Sequence, residues 1–327
     1  MSRRTTLAAL AATLAAACVP AEDAPAPPAG APAGATLPET VRIADPGLHP
    51  EGIEYDAAGG RFLVSSVTRG TVTRVGDDGT HSVFIDDPDI VSSIGIHIDP
   101  PRNRVLVANS DVSSFQGGGG HARLGAYELD SGARLFMADL GATVPSPGHF
   151  ANDIAVGPDG TAYVTDSMTP VIYAVSTDGS VSTLLRDGVL ADGGFLNGID
   201  YHPDGFLLVA LAGARALVRV PLDAPGAAVR VGIPEPLGID GLVLAPDGRL
   251  IAVTETGEGE TARTEVVALS SEDGWVSASI VDRSPAASDA TTATVRDGVV
   301  YVVDARFAAM GGDVPAPHFD ITRVRFR

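Results

Sequence analysis

The chain contains no lysine, and all 22 of its basic residues are arginine. Chemistry that needs a lysine amine is therefore excluded, including Schiff-base catalysis and phosphate binding by a Walker-type lysine. The single cysteine is Cys18, so the rest of the chain has no disulfide, thiolate nucleophile or cysteine-bound zinc. The motifs Gly-x-Ser-x-Gly and His-Glu-x-x-His do not occur either. Any chemistry must therefore use carboxylates, amides, hydroxyls or histidine.

Positive charge and aromatic residues are both scarce. Aromatic residues make up 5% of the chain and the formal net charge is −19. Nucleic-acid binding needs basic patches against phosphates, so we expect no nucleic-acid partner. With 327 residues, 45% of them hydrophobic, the chain can bury a full core, as one large repeat domain or as two ordinary ones.

Residues 1–18 have the pattern of an export signal. Two arginines precede an apolar run that ends before Cys18 and is too short to span a membrane. The sequence Ala-Ala-Ala-Cys resembles a bacterial lipoprotein processing site, where the cysteine becomes the lipidated first residue. We expect export and anchoring to the bacterial cell envelope through a lipid on Cys18, with plain secretion as the alternative. Residues 19–38, rich in alanine and proline, are typical of an extended tether.

A short motif recurs along the rest of the chain and changes one residue each time. Its variable position holds Glu51, Asn152, Asn197 and Asp240, and a Pro-Asp-Gly turn follows three of the four motifs. A repeated frame indicates a scaffold. Oxygen-bearing side chains at the equivalent position of successive repeats therefore predict one shared site.

The strand pattern around these motifs predicts an all-β fold. Short runs of valine and isoleucine are separated by glycine, proline and aspartate turns, and no stretch keeps a helical period. Four strands in each repeat of about 45 residues are typical of a β-propeller. We predict a six-bladed β-propeller over residues 39–327, with an N-terminal strand at residues 41–46 completing the last blade. The blades begin near residues 49, 92, 150, 195, 238 and 287.

The variable position is predicted to start the innermost strand of each blade, so its side chains should surround one mouth of the central channel. Two carboxylates and two amides form an all-oxygen set with a formal charge of −2, which balances a divalent cation. Ca²⁺ accepts about six to eight oxygens in loose geometry, so calcium is the expected ion, with Mg²⁺ or Mn²⁺ as alternatives. Asparagine and aspartate also cap turns at the start of strands, which would explain one such residue but not four at the same position of successive repeats. Ile94 and Ala290 take the position in the other two blades.

At these positions the chain resembles the gluconolactonase and senescence-marker-protein (regucalcin) family, with the related paraoxonases and diisopropyl fluorophosphatase. The resemblance covers residues 40–327 and rests on Pro50-Glu51-Gly52, Asn152-Asp153, Asn197-Gly198 and Asp240-Gly241. It implies that Glu51, Asn197 and Asp240 bind a catalytic divalent metal. It also implies that Asn152 binds this metal or lies beside it, and that the substrate is a small lactone or ester.

The chain departs from this resemblance at several positions, two of which concern the substrate and the catalytic residues. Sugar-lactone members carry an arginine where Phe150 stands, which favours a more apolar substrate than a sugar. Paraoxonases carry a catalytic histidine where Ile94 stands, and His97, three residues further on, is expected to lie inside the blade.

The catalytic assignment has several alternatives. In a hydrolase, Asp240 or Asp153 is expected as the general base, or Asp240 as the nucleophile. His49 and His149 are further acid–base candidates, with a solvated loop histidine as the alternative for each. The rival hypothesis is a calcium-stabilised propeller that binds a ligand or a protein without catalysis. The metal set argues against a condensing propeller like strictosidine synthase.

Overall fold

The computed structural model describes residues 36–117, 120–257, 263–312 and 314–326. The described residues form β-strands and short 3₁₀ helices, with no α-helix among them, which confirms the all-β prediction. None of the described helices is long and apolar enough to cross a membrane. The predicted export signal and almost all of the predicted tether lie outside the described residues.

In chain order the strands are β1 (Thr40–Ile43), β2 (Ile53–Asp56), β3 (Arg61–Ser65), β4 (Thr71–Val75), β5 (His81–Asp86), β6 (Ser92–Asp99), β7 (Arg104–Ser110), β8 (Gly120–Glu128), β9 (Arg134–Asp139), β10 (His149–Val156), β11 (Ala162–Asp166), β12 (Val171–Val175), β13 (Val181–Arg186), β14 (Leu196–His202), β15 (Phe206–Leu211), β16 (Ala216–Pro221), β17 (Val229–Arg230), β18 (Gly238–Leu244), β19 (Leu250–Thr256), β20 (Arg263–Ser270), β21 (Ser279–Pro285), β22 (Ala290–Arg296), β23 (Val299–Asp304) and β24 (Phe319–Arg323). The 3₁₀ helices are Pro100–Arg102, Val112–Gln116, Gly141–Thr143, Gly188–Ala191, Ala212–Ala214, Pro225–Ala227 and Phe307–Ala309.

These strands form antiparallel sheets that follow the order of the chain. Four sheets are four-stranded, in the orders β2-β3-β4-β5, β14-β15-β16-β17, β18-β19-β20-β21 and β22-β23-β24-β1. The remaining sheet is eight-stranded and combines β6 to β9 with β10 to β13, joined by a short parallel pairing between β8 and β10. The strands are linked by tight turns, and in the Pro-Asp-Gly turns Gly160, Gly205 and Gly248 all take a positive φ, which glycine adopts without strain.

The first strands of successive groups contact one another in a closed series. β2 contacts β6, β6 contacts β10, β10 contacts β14, β14 contacts β18, β18 contacts β22, and β22 contacts β2. Inner strands that meet in this way surround a central channel, which is the arrangement of a propeller. The start of every inner strand therefore lies near the same channel.

Apolar layers between neighbouring sheets hold the inner strands in place. One layer joins the β14–β17 sheet to the β18–β21 sheet through Phe206, Leu208 and Trp275. Another joins the last sheet to the first through Phe62 and Phe319. Each fully buried side chain of this size contributes about 2–3 kcal/mol to folding, so the layers fix the channel geometry firmly.

Candidate metal centre and mouth cavities

The variable position of the repeated motif coincides with a break in strand pairing. In β10 the register with β11 is interrupted between Ala151 and Ile154. The same interruption in β14 and β18 falls at Asn197 and Asp240, and β6 and β22 also contain it. A bulge of this kind turns a side chain away from the regular alternation of the strand. The bulges explain how side chains from different sheets reach one mouth.

The register corrects one assignment made from the sequence. In β22 the interruption lies between Ala290 and Ala293, so Thr291 rather than Ala290 occupies the variable position. The Thr291 hydroxyl donates a 2.7 Å hydrogen bond to the backbone carbonyl of Glu51. This residue therefore joins the last inner strand to the segment that precedes the first.

The residue after the variable position approaches the neighbouring inner strand closely. A Cβ at Gly198 would lie only 2.6 Å from the carbonyl oxygen of Asp240, so glycine permits this contact and any side chain would disturb it. Asp153 takes the equivalent position in β10. Its Oδ2 accepts a 3.2 Å hydrogen bond from the backbone N–H of Ile199, which links β10 to β14. The constant part of the motif therefore serves the packing of the ring.

The four predicted metal ligands line one cavity of about 350 Å³ at the mouth of the channel. A second cavity, of about 310 Å³, shares Asn197, Asp240 and Phe307 with the first. We call the first the apolar lobe and the second the polar lobe. The structure thus brings Glu51, Asn152, Asn197 and Asp240 to one cavity, and Asn197 and Asp240 lie where the two lobes meet.

Two buried amide oxygens at this place have no hydrogen-bond partner among the described residues. Asn152 Nδ2 donates to Ser167 Oγ at 3.0 Å, and Asn197 Nδ2 donates to Asp240 Oδ1 at 2.7 Å. Both Oδ1 atoms stay unpartnered, although the two asparagines are only 5% and 7% exposed. An unpartnered buried acceptor costs about 1–3 kcal/mol. A cation would satisfy both oxygens at once.

The two carboxylates at the mouth have no cationic partner within the described ranges. Burial raises the pKa of Asp240 to about 7, against a smaller lowering by the hydrogen bond from Asn197. Burial also raises the pKa of Glu51 well above its ordinary value, and the charges of Asp240 and Asp153 add to this rise. A divalent cation would counter both shifts because it balances two negative charges. The residues present therefore fit a hard divalent ion.

The candidate set is unusual in its composition. Within the described part of the chain, no three His, Cys, Asp or Glu side chains are grouped so as to hold a metal ion. The set at the mouth combines two carboxylates with two amides instead. Carboxylate and amide oxygens are both ligands of calcium, whose coordination needs no histidine or cysteine.

The two candidate catalytic aspartates lie at different depths. Asp240 lines both mouth lobes. Asp153 lines a smaller cavity inside the channel, and burial raises its pKa to about 7 in spite of hydrogen bonds from the backbone of Ile154 and Ile199. A general base must reach the proton that it removes. The geometry therefore favours Asp240 over Asp153 for direct contact with a substrate.

The two candidate histidines do not line either mouth lobe. His49 is buried with its Nδ1 atom 3.0 Å from the carbonyl oxygen of Ala305, and its ring packs edge-on against Phe319. His149 is also buried, and its Nδ1 atom lies 2.8 Å from Oδ2 of Asp166. His49 therefore joins the segment before β2 to the segment after β23, and His149 joins β10 to the end of β11. Their catalytic roles stay predictions that the geometry does not favour.

Sequence reasoning missed a polar network inside the channel. His97, expected inside a blade, lines the channel with its Nδ1 atom 3.1 Å from Oε1 of Glu54. Burial lowers the pKa of His97, but the hydrogen bond and charge of Glu54, with the charges of Asp200 and Asp153, outweigh it and raise the pKa to about 9. Glu54, His97 and Asp200 each stand three residues after the variable position of their repeat, a spacing that could have revealed them.

The apolar lobe has an aromatic wall. The ring centroid of Phe115 lies 4.6 Å from that of Phe150 and 5.9 Å from that of Phe195. Phe307 and Met310 line the same lobe. Phe115 and Phe195 are 50% and 40% exposed, so both rings are open to a bound molecule. Phe150 was the only one of these side chains that the sequence singled out.

The chain is similar to known proteins in its three-dimensional structure. No protein-family model matches the chain, and neither does any curated protein. Among solved structures, the allergen Mala s 1 of Malassezia sympodialis has a TM-score of 0.70 at 19% identity, covering 89% of this chain and 97% of the allergen. Regucalcin from Agrobacterium tumefaciens, a calcium-binding protein, has a TM-score of 0.58 at 21% identity, covering 89% and 96%.

A gluconolactonase from Xanthomonas campestris has a TM-score of 0.59 at 17% identity, covering 88% of this chain and 89% of the enzyme. At these levels of identity the likeness concerns the fold. The chain therefore has the fold of the regucalcin and gluconolactonase structures that its motifs resemble.

Proposed function

We propose that the protein is a hydrolase of lactones or esters that depends on a divalent metal, with calcium as the expected ion. The observation that carries this proposal is the pair of buried, unpartnered amide oxygens on Asn152 and Asn197 beside the carboxylates of Glu51 and Asp240. These four groups meet at a cavity large enough for a small substrate. The fold likeness to a gluconolactonase agrees with this reaction class.

The proposed mechanism assigns separate tasks to the residues at the mouth. Glu51, Asn152, Asn197 and Asp240 would hold the cation, which when bound polarises a carbonyl group and stabilises developing negative charge. The aromatic wall would hold the substrate against this centre and keep bulk water from its other face. Hydrolysis then needs a group that accepts a proton from the attacking water.

Asp240 is the residue best placed to accept that proton. It lines both lobes, and the hydrogen bond from Asn197 fixes one of its oxygens while the other faces no described partner that competes for it. As a general base it takes a proton from water as the water oxygen bonds to the carbonyl carbon. The ester C–O bond then breaks and the leaving oxygen regains a proton. Direct attack by Asp240 on the carbonyl carbon is the alternative role.

Hydrolysis of a panel of lactones and aryl esters by residues 36–327, followed by pH-stat, tests this proposal. We expect turnover with calcium and none after treatment with a chelator, and addition of calcium should restore it. Turnover that survives the chelator would contradict metal dependence. Magnesium and manganese, added in separate runs, would identify the preferred ion.

A non-catalytic calcium-stabilised binding propeller is the second candidate. The fold likeness includes a calcium-binding protein and an allergen, and fold alone does not license an activity. Ile94 and Phe150 replace side chains that the resembling enzymes use. Calcium binding without turnover on any member of the panel would favour this function.

We also infer that the ring has six blades and that β1 closes it. Among the described residues, backbone pairing between the two halves of the eight-stranded sheet involves only two residues of β8 and two of β10, so the sheet divides into two four-stranded blades. The last three strands gain a fourth from β1, whose Val41 and Ile43 are 1% and 0% exposed. Tyr301 adds a 2.7 Å hydrogen bond to the carbonyl of Pro38.

Removal of residues 1–46 should therefore destabilise the protein strongly. Loss of the buried Val41 and Ile43 costs about 3–6 kcal/mol, and the edge of β24 becomes free to pair with other chains. Thermal unfolding and size-exclusion chromatography would show a much lower Tm or aggregation. The matched control begins at residue 36 and should unfold like the full chain, and equal Tm values for both truncations would refute closure by β1.

We propose further that the protein is exported and anchored to the bacterial cell envelope through Cys18. The apolar run followed by the only cysteine of the chain supports this proposal. In a bacterial host, the full chain should incorporate radiolabelled palmitate and sediment with membranes. Cys18→Ser should lose both properties and should not be processed at that site. Labelling of the Cys18→Ser variant would contradict the anchor.

A further inference from the structure

Building on the proposed hydrolase, we propose that the mouth selects lactones or esters that carry an alkyl or aryl arm and no negative charge. The apolar lobe would bind the arm, with Phe115 as the residue that determines its length. The polar lobe would reject anions through Glu255 and Asp289. Both features belong to the same mouth, on opposite sides of Asn197 and Asp240.

The apolar lobe has the composition of a site for a hydrocarbon group. Of the described residues that line it, only Gln116 and the four predicted metal ligands are polar, and the others are apolar. Phe115 extends from the 3₁₀ helix Val112–Gln116 and packs at a tilt of 49° against Phe150, yet half of its surface remains exposed. Covering an exposed aromatic ring beside a cavity with an apolar group is favourable, because it removes apolar surface from water.

The polar lobe has the opposite character. It is lined by the carboxylates of Glu255 and Asp289, besides Asp240, and by the hydroxyl residues Thr254 and Thr264. Neither Glu255 nor Asp289 forms an ion pair in the described part of the chain, where arginines neutralise many other carboxylates. Asn197 also lines this lobe with its buried, unpartnered Oδ1 atom.

The charge balance of the whole mouth follows from these residues. Among the residues that the structure describes, no arginine and no histidine lines either lobe. A divalent ion would balance Glu51 and Asp240, and the charges of Glu255 and Asp289 would remain. A substrate with a carboxylate, phosphate or sulfonate group would therefore be repelled, whereas a neutral or cationic substrate would not. The same field would favour release of the carboxylate product.

A series of γ-lactones with alkyl chains of increasing length tests the apolar lobe in the full-length protein. We expect kcat/KM to rise with chain length. We expect Phe115→Ala to lower kcat/KM for the lactone with the longest chain by about tenfold. The same variant should lower kcat/KM for γ-butyrolactone, which has no alkyl arm, by a much smaller factor. Leu135→Ala, an exposed apolar side chain that lines neither lobe, is the control and should change neither value. Equal losses on all lactones with Phe115→Ala would contradict a specificity role.

Matched phenyl acetates with a trimethylammonium, nitro or sulfonate substituent test the charge. The sulfonate should be the poorest substrate, and Glu255→Gln should improve its kcat/KM relative to the neutral ester by about threefold. Glu272→Gln removes an exposed carboxylate that lines neither lobe and should not change the ratio. Equal rates for the anionic and cationic esters would overturn the proposal.

A binding measurement separates this inference from the hydrolase itself. Calorimetric titration of the calcium-loaded protein with hexyltrimethylammonium and hexanesulfonate should detect binding of the cation only, and Phe115→Ala should weaken it. If the protein binds only the cation but hydrolyses no ester, the proposed hydrolase activity is refuted and the proposed selectivity of the mouth is supported. If esters and lactones are hydrolysed at rates that do not depend on chain length or charge, the hydrolase activity is supported and the proposed selectivity is refuted.

Discussion

Asp240→Asn is expected to lower kcat/KM for lactone hydrolysis by at least about 10³-fold while the fold persists. The asparagine keeps the size of the side chain and its place in β18, so the apolar layers that hold this strand are undisturbed. The substitution removes the negative charge that balances the cation. It also removes the carboxylate oxygen that accepts the proton. Circular dichroism and thermal unfolding without calcium, measured beside turnover, would show that the fold is retained while turnover is lost.

The stability of this variant carries a second expectation. Because burial raises the pKa of Asp240 to about 7, its charged form is unfavourable in the metal-free protein at alkaline pH. Asp240→Asn should therefore keep or raise the Tm without calcium at pH 8 and lose most of the gain that calcium gives. Asp247→Asn, in the Pro-Asp-Gly turn after the same strand, is the control and should retain turnover. A calcium-loaded Tm that falls, with no turnover in the wild type, would instead favour the binding propeller.

The fold could be predicted from local signals. Turns rich in glycine and aspartate recur at regular spacing between short runs of valine, isoleucine and leucine, and such signals need no knowledge of distant contacts. The β22 register could not be predicted, because Thr292 and Ala293 stand where the other repeats have glycine or aspartate followed by isoleucine or leucine. The strand pairing was needed to identify Thr291.

The candidate site could be predicted only where the repeat carries it. The four oxygen-bearing residues share a register, and that register brings them to one mouth. His49 and His149 lie near these residues in sequence, but Ala305 and Asp166 from other segments draw them into the sheets. Phe115 comes from an insertion without periodicity, so only the folded chain shows that it lines the mouth.

Calcium should stabilise the protein far more at pH 8 than at pH 5.5. The pKa of Asp240 is raised from near 4 in an unfolded chain to about 7 in the metal-free fold, so the fold binds more protons than the unfolded chain in this interval. The metal-free protein therefore loses stability as the pH rises from about 4 through about 7. Calcium needs the deprotonated carboxylates, so its stabilising effect grows over the same interval.

The size of this effect follows from binding linkage. Calcium at about 100 times its dissociation constant contributes about 2.7 kcal/mol, which corresponds to a rise in Tm of about 5–10 °C at pH 8. At pH 5.5 Asp240, whose pKa is about 7, would have to release a proton, and the raised pKa of Glu51 acts in the same direction, so the rise should be much smaller. The quantity to compare is the difference in Tm with and without calcium, because the pKa of Asp153 is also about 7 and its titration changes the stability of the metal-free protein over the same interval. An equal rise at both pH values would place the calcium away from these carboxylates, since only a site without raised pKa values binds the ion independently of pH in this range.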